Sequence, residues 1–319
     1  YGTDYPYPYE NVALTKVPSG YKPFYISHYG RHGSRFHSKP SIYNAPYQVL
    51  AMADSLGKLT ATGKDVLRRL DIIRKDAENH WGDLTWIGCH QQEDIARRMY
   101  QRFPEVFKGS AEIDARSTGV GRCVLSMEYF LMQLTRLNPK LNIHHNATHR
   151  DMYYLNLQDK DLFNLRKTKK ATEPYKEFRL RNSECKHLMQ VLFNDSNYVS
   201  KHVRSYDFAE QLMMVAAILQ DVELGKEMTL YDIFTQDELY RIWKVGNAYW
   251  YIGWGNSNAT DCKMPYLQRN LLSTMIHHAD SCIQLPTTSA HLRFGHETVL
   301  LPLVCLLDVN GYGQVIDDL

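Results

Sequence analysis

Apolar side chains recur along this chain with two periods, and the switches between them outline its elements. Phe24-Tyr25-Ile26-Ser27-His28 is a short aromatic and apolar run, stopped by Tyr29-Gly30, and reads as a buried strand. Further on the period lengthens. Val66, Leu67, Leu70 and Ile73 repeat at three- and four-residue spacing, which predicts a helix over 64–79. Similar patterns predict helices over 46–56 and 91–102. Glu112-Ile113-Asp114-Ala115 predicts a short strand, leading through Arg116-Ser117-Thr118-Gly119 into a helix over 120–137. Strand alternating with helix specifies an α/β layer. From about 151 to 283 the strand patterns fade, and helices are expected over 183–194, 205–224, 236–245 and 265–281. Thr235 and Glu238 have the capping-box spacing ahead of the third. The α/β texture returns after Leu285. The expected fold is therefore α/β: a discontinuous α/β domain of 1–150 plus 285–319, with a helical insert over 151–284.

Composition narrows the function classes. With 319 residues, 44% hydrophobic and 12% aromatic, the chain can bury a large core, which excludes wholesale disorder. Its longest apolar run, Val299–Leu307, has nine residues and contains Pro302, whereas a membrane-spanning helix needs about 20. No membrane span is expected. The opening Tyr-Gly-Thr-Asp-Tyr-Pro-Tyr-Pro-Tyr lacks the basic and apolar regions of a signal peptide, as in a protein made without one or a mature chain. A net charge of +2, from 37 basic and 35 acidic residues, is too even for a dedicated nucleic-acid binder. The charge is unevenly spread, however. Between Arg166 and Arg181 seven Lys or Arg face two Glu, which reads as a solvated helix face or as a collar for a polyanion. None of the six cysteines is paired as C-x-x-C, so a structural zinc site is not expected, and both disulfides and buried thiols fit. The composition specifies no oligomeric state.

The most informative segment is Arg31-His32-Gly33-Ser34-Arg35, directly after the first expected strand. Ligands of open α/β sheets bind at the carboxyl ends of strands. Gly30 and Gly33 let the backbone turn and approach a ligand. Arginine binds phosphate through paired charge-assisted hydrogen bonds, and an imidazole between two arginines can be a ligand, an acid or base, or a nucleophile toward phosphorus. Rival chemistries lack their residues. No cysteine has an arginine six residues later, no Asp-x-His occurs, and neither a G-x-x-x-x-G-K-[ST] nor a G-x-S-x-G motif is present. Asp159-Lys160-Asp161 has the spacing of aspartyl-phosphate enzymes but no buried strand before it. His144, His145 and His149 lie among Pro139, Asn142 and Asn146 and read as surface loop residues. His277 and His278 read as structural, and Trp243, Tyr249, Trp250, Tyr251 and Trp254 as core of the helical region.

Arg31-His32-Gly33-Ser34-Arg35 resembles the R-H-G-x-R signature of the histidine acid phosphatases, branch two of the histidine phosphatase superfamily. Further blocks agree in order: Leu84-Thr85 to Gly88 and Gln92, Ala115-Arg116-Ser117-Thr118 with Arg122, and Phe294-Gly295-His296-Glu297-Thr298 before Leu300-Leu301-Pro302. The resemblance implies a phosphoglycerate-mutase-like α/β sandwich with an inserted helical α domain. It implies His32 as nucleophile, Glu297 as proton donor, and Arg31, Arg35, Arg116 and His296 around the phosphate. No metal or cofactor is implied. Two positions depart from the family pattern: His37 replaces the usual Pro, and Glu297 directly follows His296, where most members have Asp there or Glu one residue later. The surrounding residues look most like the multiple inositol polyphosphate phosphatases. The implied substrate is an inositol polyphosphate, with Lys167, Lys169, Lys170, Arg179 and Arg181 as a candidate rim. A broad acid phosphatase or glucose-1-phosphatase is the alternative, and a weakly active polyphosphate-binding protein on the same scaffold a second. Neither a nucleic-acid nor a membrane partner is expected; by resemblance the protein is periplasmic or secreted.

Overall fold

The computed structural model describes residues 4–7, 15–157, 159–285 and 288–316. Four strands pair in one fully parallel sheet: β1 (Tyr25–Arg31), β2 (Glu112–Ser117), β3 (Asn142–Asn146) and β4 (Ser289–Gly295), in the order β1-β4-β2-β3. Helices α1 (Pro40–Ser55), α2 (Ala61–Asp76) and α3 (Trp86–Arg102) join β1 to β2, and α4 (Gly121–Leu137) joins β2 to β3. The stretch between β3 and β4 holds α5 (Met152–Leu155), α6 (Lys160–Leu165), α7 (Lys169–Arg181), α8 (Lys186–Leu192), α9 (Ser196–His202), α10 (Ser205–Ile218), α11 (Gln236–Trp254) and α12 (Arg269–Ile283). After β4 comes α13 (Glu297–Leu306). The fold is mixed α/β, as the alternating pattern predicts.

One face of the sheet is apolar. Ile113, Ala115, Ala290, Leu292 and Phe294 pack with Ala96 of α3 and with Met127, Phe130 and Leu134 of α4. The other face is polar near its centre, where buried Arg293 donates to Ser27 Oγ (3.1 Å) and reaches His278 Nδ1 (3.0 Å). A second apolar cluster joins α1 and α2 to α8, α10 and α11 through Leu50, Val66, Leu70, Leu188, Leu212 and Val245. Residues 40–77 thus share a core with helices of the expected insert, although β2, α4 and β3 separate them from it along the chain.

Several elements differ from the sequence reading. β1 continues through Tyr29-Gly30 to Arg31, because Tyr29, Gly30 and Arg31 keep register with Arg293, Phe294 and Gly295. Sheet pairing overrides the local breaker. α1 begins at Pro40 rather than at 46, with Pro40 in its first turn and buried Pro46 inside it. The segment expected as a loop around His144 and His145 is the edge strand β3, paired with β2, and both histidines stay on the surface. α11 runs on from 245 to Trp254, capped at its start by the Thr235–Glu238 box. Its aromatics divide: Trp254 is 7% exposed, Tyr249 49%. All six cysteines are free thiols. No helix among the described residues is long and apolar enough to cross a membrane.

Candidate active site

Three parallel strand ends meet at one edge. His32 follows β1, and its backbone N–H continues the ladder to Gly295 O (3.0 Å). His296 and Glu297 follow β4, His296 as the N-cap of α13 and Glu297 as its first residue. Thr118 follows β2 and bonds back to Phe294 O (3.0 Å), which leads Arg122 into the first turn of α4. The carboxyl edge of the sheet, where α/β folds bind ligands, therefore carries this chemistry.

The Arg31–Arg35 turn is held from below by the start of α3. Thr85, the N-cap of that helix, donates from both its backbone N (2.9 Å) and its hydroxyl (3.0 Å) to Ser34 O. Gln92 donates to Arg31 O (3.2 Å), and Gln91 accepts from Ser34 N (2.8 Å) and donates to Ser34 Oγ (2.9 Å). Gly33 N donates to Ser126 Oγ (3.0 Å). This stitching requires close backbone approach. A Cβ on Gly33 would run into the backbone of Gly88, and one on Gly88 into that of Ser34. The Thr85, Gly88 and Gln92 block noted in the sequence is thus a support for the turn.

His32 is 4% exposed. Its Nδ1 lies 2.8 Å from Gly33 O, so Nδ1 carries the proton and Nε2 presents its lone pair. Burial first, then the Arg31 charge, push the imidazole pKa down to about 3, so the ring is neutral in ordinary buffers. Nε2 is one of three buried nitrogens here without a hydrogen-bond partner among the described residues; the others are Arg35 Nε and Arg122 Nε. Buried polar atoms are rarely left unpaired, so this group reads as a site built for an anion. Glu297 Oε2 accepts from Arg31 Nε at 2.9 Å and stands 3.8 Å from His32 Nε2. Burial pushes this carboxyl up, but the Arg31 charge and its own backbone N–H outweigh that and hold it down to about 2. The His296 ring lies 5.7 Å from that of His32 and is 3.3 Å from Thr118 Oγ1. Burial, then Arg122, push its pKa down to about 4.

The structure brings together Arg31, His32, Arg35, His296 and Glu297. It turns Arg116 elsewhere: that guanidinium sits 2.6 Å from Asp114 on its own strand, and its charge bears on Tyr154, His278 and His291. The third guanidinium acting on His32 and His296 is Arg122, half-buried, whose pKa is lowered by burial and by Arg35 and Arg31. Arg116 lies within β2, whose alternation points it at the polar face, whereas Arg122 lies past the strand end. Asp221 was not visible as a site residue. It accepts from Ser34 Oγ, and burial pushes its carboxyl up to about 7 against the pull of Ser34, Arg31 and Arg35. No motif surrounds it. The basic rim is largely engaged: Lys170 pairs with Asp261 (2.6 Å), and Arg179 with Asp207 (2.5 Å) and Glu210 (3.2 Å). Lys167 reaches Asn164 Oδ1 at 3.5 Å, the Arg181 guanidinium lies 5.8 Å from the Phe178 ring centroid, and Lys169 begins α7 on the surface. Among the described residues no cluster of three or more His, Cys, Asp or Glu side chains could hold a metal ion.

Comparison with known proteins agrees with this fold. The multiple inositol polyphosphate phosphatase of Bifidobacterium longum, crystallised with inositol hexasulfate, superposes with a TM-score of 0.73 at 18% identity, covering 98% of this chain and 82% of its own. Its phosphate complex gives a TM-score of 0.78 at 18% identity, covering 98% and 80%. The phytase from D. castellii gives 0.66 at 15% identity, covering 94% and 66%. At such identities the likeness is one of fold. No curated protein sequence matches. The family profile of the histidine phosphatase superfamily (branch 2) matches residues 30–318. The chain belongs to that family and is a phosphatase of its second branch.

Proposed function

We propose that the protein hydrolyses inositol polyphosphates, inositol hexakisphosphate and its lower forms, through a phosphohistidine at His32. The observation that carries this reading is a neutral buried imidazole, lone pair unpartnered, set among Arg31, Arg35 and Arg122. His32 Nε2 attacks phosphorus, the P–O bond to the alcohol breaks, and Glu297 delivers a proton to the leaving oxygen. Glu297 then takes a proton from water, which attacks the phosphohistidine and frees His32. Phosphoryl transfer chiefly needs positioning and charge stabilisation, which the guanidinium groups and His296 supply. In this reading the α/β unit (1–150 plus 285–319) carries the chemistry, the helices of 151–284 shape its entrance, and the protein works in a periplasmic or extracellular space.

The substrate class rests on the fold shared with a protein crystallised with inositol hexasulfate. A second reading, a broad acid phosphatase, is favoured by the ion pairs that engage Lys170 and Arg179 and leave fewer charges for a polyanion. One experiment separates them. Phosphate release is measured from inositol hexakisphosphate and from simple alkyl monoesters, with and without EDTA, alongside rapid-quench labelling. Acid-labile, base-stable label on wild type, none on His32→Ala, and higher kcat/KM on the hexakisphosphate are expected, with EDTA changing rates less than twofold. Equal kcat/KM on all esters would select the broad phosphatase. Substantial turnover by His32→Ala would remove the phosphohistidine.

A further inference from the structure

Away from the His32 site, α6, α7 and α11 enclose a cavity of about 340 Å³. Its walls include the rings of Phe163, Tyr175 and Tyr249, and its charged groups are Arg166 and Lys167. The Arg166 guanidinium stacks 4.4 Å from the Phe163 ring centroid and 4.6 Å from that of Trp254, which fixes its orientation. No carboxylate pairs with Arg166 or Lys167 among the described residues. The lining contains no acidic side chain. Arg166 is thus a half-buried cation held by two π-faces and by a long hydrogen bond from its Nε to Phe163 O (3.5 Å), and burial lowers its pKa without any carboxylate to restore it. Uncompensated buried charge is costly unless something pairs with it.

We propose that this cavity is a second binding site, separate from the His32 pocket, for a ligand with a flat aromatic body and one or two acidic groups. The volume sits at the small end of ligand pockets, which run from about 300 to 1,000 Å³. Three aromatic rings supply the apolar and stacking walls that a planar ring requires. Guanidinium N–H groups not covered by the stacked rings meet the acid. The charge count sets the ligand's valence. Lys170 and Arg179 of α7 are already paired with carboxylates, so the site holds two cations with no carboxylate partner among the described residues and suits a mono- or dianion rather than a polyphosphate. Aromatic walls reject a sugar ring clothed in phosphates for the same reason. The pocket lies beside Trp254, whose cluster with Met264 and Leu267 also takes Leu301 of α13, one turn past Glu297, so an occupant abuts the core under the catalytic helix.

The test uses the full chain and the dye 8-anilinonaphthalene-1-sulfonate, an aromatic monoanion, followed by fluorescence and thermal unfolding. Wild type is expected to bind one dye saturably, with Tm raised because the dye binds the folded protein. Saturating orthophosphate, which fills the His32 pocket, is expected to change the dye Kd less than twofold. Arg166→Met, which keeps the packing and removes the charge, should raise Kd at least tenfold. Thr172→Phe fills the cavity and keeps the charge, and should do the same; it decides the matter if Arg166→Met does not fold. A Kd unchanged within twofold in the folded variants, competitive displacement by orthophosphate, or a lowered Tm with dye would each overturn the proposal.

Discussion

His32 and Glu297 are opposite cases of one physical rule. Burial without a hydrogen-bonded countercharge keeps the imidazole neutral, while the Arg31 contact keeps the carboxyl ionised despite its burial. Beside Arg31, Glu297, the donor we propose, therefore lacks its proton. Substrate supplies the remedy, because a phosphomonoester holds a second proton up to about pH 6. Binding on Arg31 divides that guanidinium between two anions, and the phosphate's charge draws its proton toward Glu297. Activity on alkyl esters is expected to fall as pH rises above about 6, where the substrate arrives without that proton. Glu297→Gln should slow the burst of phosphoenzyme formation from inositol phosphates by about 10²–10⁴-fold. A nitrophenyl ester, whose phenolate leaves unaided, should lose far less in the same pre-steady-state measurement. Equal losses on both would assign the proton to another residue, such as Asp221, the buried acid bonded to Ser34. The sequence made His32, Arg31 and Arg35 legible because they are contiguous. It could not display Asp221, which meets Ser34 across 187 residues of chain.

The elements fix these side chains by close contact. α3 enters at Thr85 and lays Gly88 against Gly33 and Ser34, so neither glycine has room for a methyl group. Gly33→Ala should force the turn off the helix, lower stability by roughly 1–3 kcal/mol, and cut activity more than stability alone explains. Urea unfolding together with kcat/KM would check this; an unaffected variant would mean the two backbones can part freely. Element boundaries were the least legible feature. Gly30 reads locally as a stop, yet hydrogen bonding to β4 carries the strand through it to Arg31. β3 is polar and surrounded by Asn and Pro, and becomes a strand only because β2 offers it an edge. In α7 the local pattern allows either a solvated face or a collar, and carboxylates of α10, Asp261 and its own Glu173 pair with Arg179, Lys170 and Lys176, three of its five cations.

At the scale of the whole molecule, buried and half-buried histidines set the response to acid. The pKa values of His28, His291 and His296 are pushed down to about 4, and that of His32 to about 3, each chiefly by burial. Lowered folded values mean that the unfolded chain binds protons first. The stability these groups contribute is present above about pH 6.5 and is lost as pH falls toward 4. Asp221 acts oppositely: its raised value favours the folded state at low pH and is lost as pH rises through about 7. His37 and His278 are lowered as well, Asp76 is raised along with Asp221, and the more numerous imidazoles decide the sign. Calorimetry should find Tm lower at pH 5 than at pH 7 by at least ~5 °C. A Tm that holds or rises would mean that these imidazoles are already charged in the folded protein. By itself the sequence determined what depends on neighbours along the chain: the helical and strand periods, the Gly-flanked turn with its two arginines and imidazole, and the even charge. Only the tertiary structure decided that Arg122 rather than Arg116 faces His32, that Glu297 meets Arg31 across 266 residues, and that the basic helix is largely paired. The physical reason is the same in each case. Charge and burial act through space, and which groups stand within a few ångströms is settled only when distant elements pack.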